Sequence, residues 1–166
     1  MDSKLEDLVG RNQPLVFARR TRKNLERIKK ASADGEDVHP VVQLANSLLG
    51  LIVIPWERDT LDSILHHRLE TLKQQGWPCF NITKGRCHTL EELIQKLRNS
   101  VAHGHMRFSS DEKHYGKVIL QIKNIPWKQK EPDWCAEISV EELQGFCEKL
   151  INLVEDFCTK GVDPEY

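Results

Sequence analysis

The sequence predicts a mainly α fold: a bundle of about five helices with a small β-hairpin or sheet inserted between the last two. Three observations point there. Apolar residues recur every three or four positions in five segments separated by Gly and Pro signals. Two Ser/Thr-x-x-Glu boxes, Thr89 to Glu92 and Ser139 to Glu142, mark helix starts. Between the helices they open, the period drops to two at Val118, Leu120 and Ile122.

The elements follow in order. Pro14 to Ala31 reads as the first helix, with Leu15, Ala18, Leu25 and Ile28 as its inner face, and Ala33-Asp34-Gly35 breaks it. The second runs from Pro40 to Ile54 and is apolar nearly all round, which places it centrally in the bundle or under another chain. Pro55 marks its end. The third is expected from Thr60 to Gln75, with Asp59 as N-cap and Leu61, Ile64, Leu65, Leu69 and Leu72 as its stripe. Gly76-Trp77-Pro78 ends it, and the chain through Gly85 reads as an irregular loop. The fourth opens at the Thr89 box, carries Leu90, Leu93, Ile94, Leu97 and Val101 on one face, and stops where Gly104 fits the left-handed position past a helix end. Met106 to Ser109 is expected to pair with Val118 to Ile122 across a turn near Asp111 to Gly116, and Trp134 to Ile138 to add a short third strand. The last helix starts at the Ser139 box and turns Leu143, Phe146, Cys147, Leu150, Val154, Phe157 and Cys158 inward.

A chain of 166 residues, 39% hydrophobic, suits one domain spanning residues 1–166, with its core over about residues 14–160 and a frayed tail from Gly161 to Tyr166. The 24 basic and 25 acidic residues give a formal net charge of −1, which argues against coating nucleic acid by bulk charge but leaves room for a local basic site. Asp2, Lys4, Glu6 and Asp7 do not resemble a secretory leader. The apolar run from Leu48 to Pro55 is too short to span a bilayer. Cys79, Cys87, Cys135, Cys147 and Cys158 are odd in number and scattered, a pattern of reduced thiols. The expected location is therefore the cytoplasm, with no membrane association. Cys79, Cys87 and His88 lack a CxxC pair and an evident fourth ligand, so neither a metal nor a cofactor is expected.

The segment from Leu97 to His105 gathers the parts of a reaction centre. Asn99 and His103 lie one turn apart on the same helical face. Arg98 sits at the edge of the apolar stripe beside Leu97 and Val101, and an ideal helix splays it from His103 by about 140°. A helix that ends at His103 frees the imidazole from that direction. The helix C-terminus favours imidazolium there and Arg98 opposes it. An imidazole moves protons near neutral pH, and a guanidinium holds phosphate. By spacing alone the same residues also make an ordinary C-cap and solvated face.

Arg98-Asn99-Ser100-Val101-Ala102-His103 resembles the R-N-x-x-x-H signature of the HEPN superfamily. The apolar helix before it, Gly104 after it and the strand-rich insert are also similar to a bacterial branch of HEPN nucleases, over roughly Phe17 to Phe157. The resemblance implies a helical-bundle, metal-independent ribonuclease in a toxin–antitoxin or anti-phage setting. His103 would be the base for a ribose 2′-OH or the acid for the leaving 5′-oxygen. Arg98 would hold the scissile phosphate, and Asn99 would bind the phosphate or orient His103. The products would be a 2′,3′-cyclic phosphate and a 5′-OH. The resemblance further implies a homodimer with the cleft at its interface, and an antitoxin or nucleotidyltransferase partner. His105 stands where some members carry a Tyr that such a partner modifies, so that acceptor is missing here. In its place is a second imidazole, either a catalytic partner of His103 or a loop residue that contacts RNA or solvent.

Seven of the twelve residues from Arg19 to Lys30 are basic, and only Glu26 opposes them. This is a solvated face or a phosphate-tracking strip, with Arg19, Arg20, Arg22 and Lys23 as candidate substrate contacts and Arg107 and Lys117 as extensions. Trp56, Trp77, Trp127 and Trp134 offer base stacking or packing, whereas His66, His67 and His114 read as surface. The competing function is a non-catalytic helical module that binds RNA or a protein.

Overall fold

In the computed structural model residues 13–53, 65–110 and 118–160 are described, and the chain divides into two compact units. One comprises Met1–Ile64 with Cys147–Tyr166, the other Leu65–Phe146. The Asp59 cap, Leu61, Ile64, Trp56, the turn around His114 and Lys117, and the tail from Gly161 lie outside the described residues.

The first unit contains α1 (Gln13–Ala33), α2 (Pro40–Val53) and the part of α5 (Val140–Lys160) beyond Phe146. Ala18 and Leu25 of α1 are buried as expected, together with Thr21, while Leu15 and Ile28 are half-buried. From α2 come Val41, Leu44, Ala45, Leu48, Leu51 and Ile52; Val42 on its other side is 50% exposed. Leu150, Ile151 and Val154 of α5 complete this core. A Cβ at Gly50 would run into the ring of Phe17, so α1 and α2 approach each other closely there. Across to α5, the Arg22 guanidinium reaches the Glu155 carboxylate at 2.9 Å and donates to Asn152 Oδ1 at 2.7 Å.

The second unit holds α3 (Leu69–Gln74), β1 (Asn81–Lys84), α4 (Leu90–Ala102), β2 (Met106–Phe108), β3 (Ile119–Asn124), β4 (Trp134–Ser139) and the start of α5. The strands form one antiparallel sheet in the order β1-β4-β3-β2. The expected pairing of the Met106 and Val118 segments is present, with Met106 opposite Ile122, and the Trp134 segment pairs with β3. The sheet is larger than the expected insert, and it is not confined to the interval between the last two helices. Its fourth strand, β1, precedes α4 and lies in the stretch read as a loop. Asn81-Ile82-Thr83-Lys84 has a single apolar position, so it carries no alternation of its own and becomes a strand only by pairing with β4, more than fifty residues away.

The third helix is interrupted. Among the described residues Leu65 is helical, residues 66–68 are not, and a helix resumes from Leu69 to Gln74. Arg68 is extended and bridges Thr89. The His67 carbonyl accepts from the Leu90 amide, and the Leu69 amide donates to the His88 carbonyl. These bonds to the start of α4 replace the helical bonds that His66 to Arg68 were expected to make.

On the inner side, α4 contributes Leu90, Leu93, Ile94 and Leu97 and packs on β3. Ser100, not Val101, continues its buried face, with its hydroxyl donating to the Lys96 carbonyl at 2.6 Å. Leu120, Ile122, Trp134, Ala136 and Ile138 supply the sheet's buried side, and Val140, Leu143 and Phe146 the start of α5. Lys96 of α4 is ion-paired with Asp133, which also accepts from the Asn124 side chain at 2.6 Å. No helix among the described residues is long and apolar enough to cross a membrane.

Candidate active site

The site is built by how α4 begins and ends. Thr89 is its N-cap, with Oγ1 accepting from the Glu92 amide at 3.2 Å. The Glu92 carboxylate accepts from the amide of His88 at 2.6 Å rather than from Thr89 as a standard capping box would have it. At the other end His103 is the C-cap and Gly104 has φ +69. The Gly104 amide donates to the Val101 carbonyl at 3.0 Å and the His105 amide to Ser100 at 2.7 Å. These two bonds are a Schellman closure, which satisfies carbonyls that the last turn leaves open.

The closure fixes three groups. The His103 amide donates to the Asn99 carbonyl at 3.2 Å, so His103 and Asn99 sit one turn apart, both exposed. Arg98 is half-buried at the edge of the α4 core. The His105 carbonyl accepts from the Lys123 amide at 3.0 Å, which begins the β2–β3 ladder. With its backbone held on both sides, His105 places its ring 6.0 Å from that of His103, centre to centre, at a 34° tilt. The ring is half-buried, and its Nδ1 is buried with no hydrogen-bond partner among the described residues. Two imidazoles at this separation can both reach one substrate group. A family model described as HEPN pEK499 p136 matches residues 5–159.

The chain belongs to this family. HEPN domains are typically ribonucleases, and the segment that resembles the HEPN signature, Arg98 to His103, lies at the end of α4. The match runs through both compact units. Neither a search of curated proteins nor one of solved structures returns a match.

The other candidate residues of this HEPN chain fall in different places. Arg22 is engaged by Glu155 and Asn152, and Arg19 lies 3.6 Å from the same carboxylate. Both guanidiniums therefore have anionic or polar partners on α5. Arg20 and Lys23 are exposed on α1. Arg107 is exposed on β2. Of the tryptophans, Trp127 is 84% exposed and Trp134 fully buried. Trp77 packs edge-on to Phe146, with ring centres 5.7 Å apart. His66 and His67 are exposed, with His66 3.7 Å from Glu91.

Sequence reasoning missed Lys123, which stands opposite His105 in the ladder and is exposed. The signal was present in the alternation, since burial of Leu120 and Ile122 turns Ile119, Gln121 and Lys123 outward. It also missed a cavity of about 290 Å3 lined by Leu72, Trp77, Phe80, Cys87, Leu93 and Phe146, among others. All five cysteines are free thiols. Burial, helped by the Glu92 charge, pushes the Cys87 thiol up to about 11, and burial pushes Cys147 up to about 12. Both are neutral and unreactive near pH 7. Among the described residues, no group of three or more His, Cys, Asp or Glu side chains is placed to hold a metal ion.

Proposed function

We propose that this protein is a metal-independent endoribonuclease whose centre is Arg98, Asn99, His103 and His105. The observation that carries the reading is the closure of α4, in a chain of a typically ribonucleolytic family: it sets two imidazoles 6.0 Å apart just beyond Arg98 and Asn99. His103 takes the proton of a ribose 2′-OH, and O2′ forms a bond to the adjacent phosphorus. The P–O5′ bond breaks, and O5′ takes a proton from the imidazolium of His105. The products are a 2′,3′-cyclic phosphate and a 5′-OH. Arg98 binds the non-bridging oxygens and stabilises the charge that builds on them, with Asn99 as a further donor or as the group that orients His103. The acting species is a homodimer with the cleft at its interface, working in a toxin or anti-phage role under an antitoxin or other partner. Exposed Arg20 and Lys23 assist RNA binding.

The test is cleavage of end-labelled RNA in EDTA by wild type and His103→Ala, with analysis of the product ends. Cleavage by wild type alone, leaving cyclic phosphate, is expected. Equal cleavage by both proteins would trace the activity to a contaminant or another site and remove His103 from the centre, and no cleavage by either across several RNA classes favours the non-catalytic binding module.

A further inference from the structure

The sheet's outer face collects cations that no role above uses together. Register defines it. Lys123 stands opposite His105 in β2–β3 and opposite Cys135 in β3–β4, and Cys135 stands opposite Lys84 in β1. Directly opposed residues project from the same side of a sheet, so Lys123 and Cys135 share a row with His105, just before β2, at one end and with Lys84, which meets Cys135 past a register shift between Ile82 and Lys84, at the other. Neighbouring strands are about 4.8 Å apart, which puts Lys123 and Lys84 roughly 10 Å from each other. Arg107 heads the next row, opposite Gln121, which is opposite Glu137.

Lys84, Arg107 and Lys123 are all exposed. None of the three has an ion pair among the described residues. The acidic group on these rows is Glu137, whose carboxylate accepts from the Gln121 amide at 2.8 Å. The face thus carries three cations against one carboxylate in a chain of net charge −1, and it starts at the half-buried imidazole of the candidate site. A row of separated cations leading away from a phosphate-cleaving centre fits a strand with regularly spaced negative charges.

We propose that the outer face of the sheet is a track for the phosphates of an RNA strand, with Arg107, Lys123 and Lys84 contacting phosphates that flank the scissile one. The choice of RNA rests on the nuclease reading of the α4 site; the surface itself follows from register and exposure. Phosphate contacts position the strand without selecting sequence, so the track adds affinity and orientation and leaves base choice to other groups.

The test is equilibrium binding of a labelled single-stranded oligoribonucleotide of mixed sequence to the full chain over a series of NaCl concentrations. The His103→Ala protein is used so that cleavage does not interfere. Removing one cation–phosphate pair lowers the slope of log affinity against log salt by about 0.7 for a single strand. Lys123→Ala is expected to lower it by about that much, and the combined Arg107→Ala, Lys123→Ala and Lys84→Ala protein by about 2, with Lys123→Arg near the parent value. Circular dichroism checks that each variant is folded. An unchanged slope and affinity in the folded triple variant overturns the track, as does loss of binding to anionic lipid vesicles with RNA binding intact. The two readings fail separately. A protein that cuts no RNA but whose salt slope falls in the variants keeps the track and loses the nuclease. One that cuts RNA with the slope unmoved keeps the nuclease and loses the track.

Discussion

The Lys96 ammonium of α4 holds the Asp133 carboxylate at the start of β4, and so ties the signature helix to the sheet it packs on. Burial raises the Asp133 carboxyl, but the hydrogen bonds from Lys96 and Asn124 and the Lys96 charge together outweigh it and hold the group below its ordinary value. A depressed folded value means that the contribution is present in full above the unfolded value, about 3.9, and is lost as pH falls through the lower folded value. With the Asp133 side chain 34% exposed, the tie contributes about 1 kcal/mol after solvent screening. Asp133→Asn should therefore lower stability to denaturant by about that amount at pH 7, and the gap from wild type should close below pH about 4. A gap independent of pH would show that the charge of Asp133 contributes nothing to the tie.

Gly104 is the second point on which the site depends. A Cβ there meets nothing within 4 Å, so the whole effect of a substitution comes from its φ of +69. Gly104→Ala should cost about 1–2 kcal/mol, the strain of a left-handed L-residue. The bonds from Gly104 and His105 to Val101 and Ser100 place both imidazoles, and a misplacement near 1 Å can cost about 100-fold in rate. RNA cleavage by Gly104→Ala is expected to fall well beyond what its unfolded fraction explains. Thermal melts and cleavage rates on the same samples separate the two effects.

What the sequence revealed and what it concealed follow the range of the interactions. The Ser139–Glu142 box is a local signal and forms in full, each residue bonding the other's amide. The end of α4 at Gly104 is equally local. In contrast, β1 exists because β4 offers an edge to it, and His66 to Arg68 leave the helical path because residues 88–90 bind them. Neither cause can be read within a window of a few residues. The Arg98, Asn99 and His103 cluster was legible as a motif, whereas the ring separation of His103 and His105 and the position of Lys123 depended on strand register. Arg19 and Arg22 looked equivalent to Arg20 and Lys23 in the basic run, and only the position of Glu155 tells them apart.

That difference predicts opposite behaviour for residues two apart. Arg22→Ala removes the nearer of two cations on Glu155 and the donor to Asn152 and should lower stability by about 1 kcal/mol, after allowance for a side chain a third exposed. Arg20→Ala combined with Lys23→Ala should leave the unfolding free energy within the small range of surface changes, about 0.5 kcal/mol. The double variant should instead weaken RNA binding in a salt-dependent way. If it binds RNA like wild type at every salt concentration, α1 takes no part in substrate binding.

The assignment of His105 as the acid can be separated from a merely structural role by the chemistry of the leaving group. Protonation by a placed imidazole contributes about 10²–10⁴-fold, and His105→Ala should lose a factor in that range on ordinary RNA. A thiolate is a much better leaving group than an alkoxide, so a substrate with sulfur in place of the bridging 5′-oxygen needs no proton on departure. His105→Ala should cleave this substrate at nearly the wild-type rate. His103→Ala should remain slow on it, because the 2′-OH still has to lose its proton to a base. Failure of the sulfur substrate to rescue His105→Ala, with its fold intact by circular dichroism, would remove His105 from the proton transfers. The proton for O5′ would then have to come from another group.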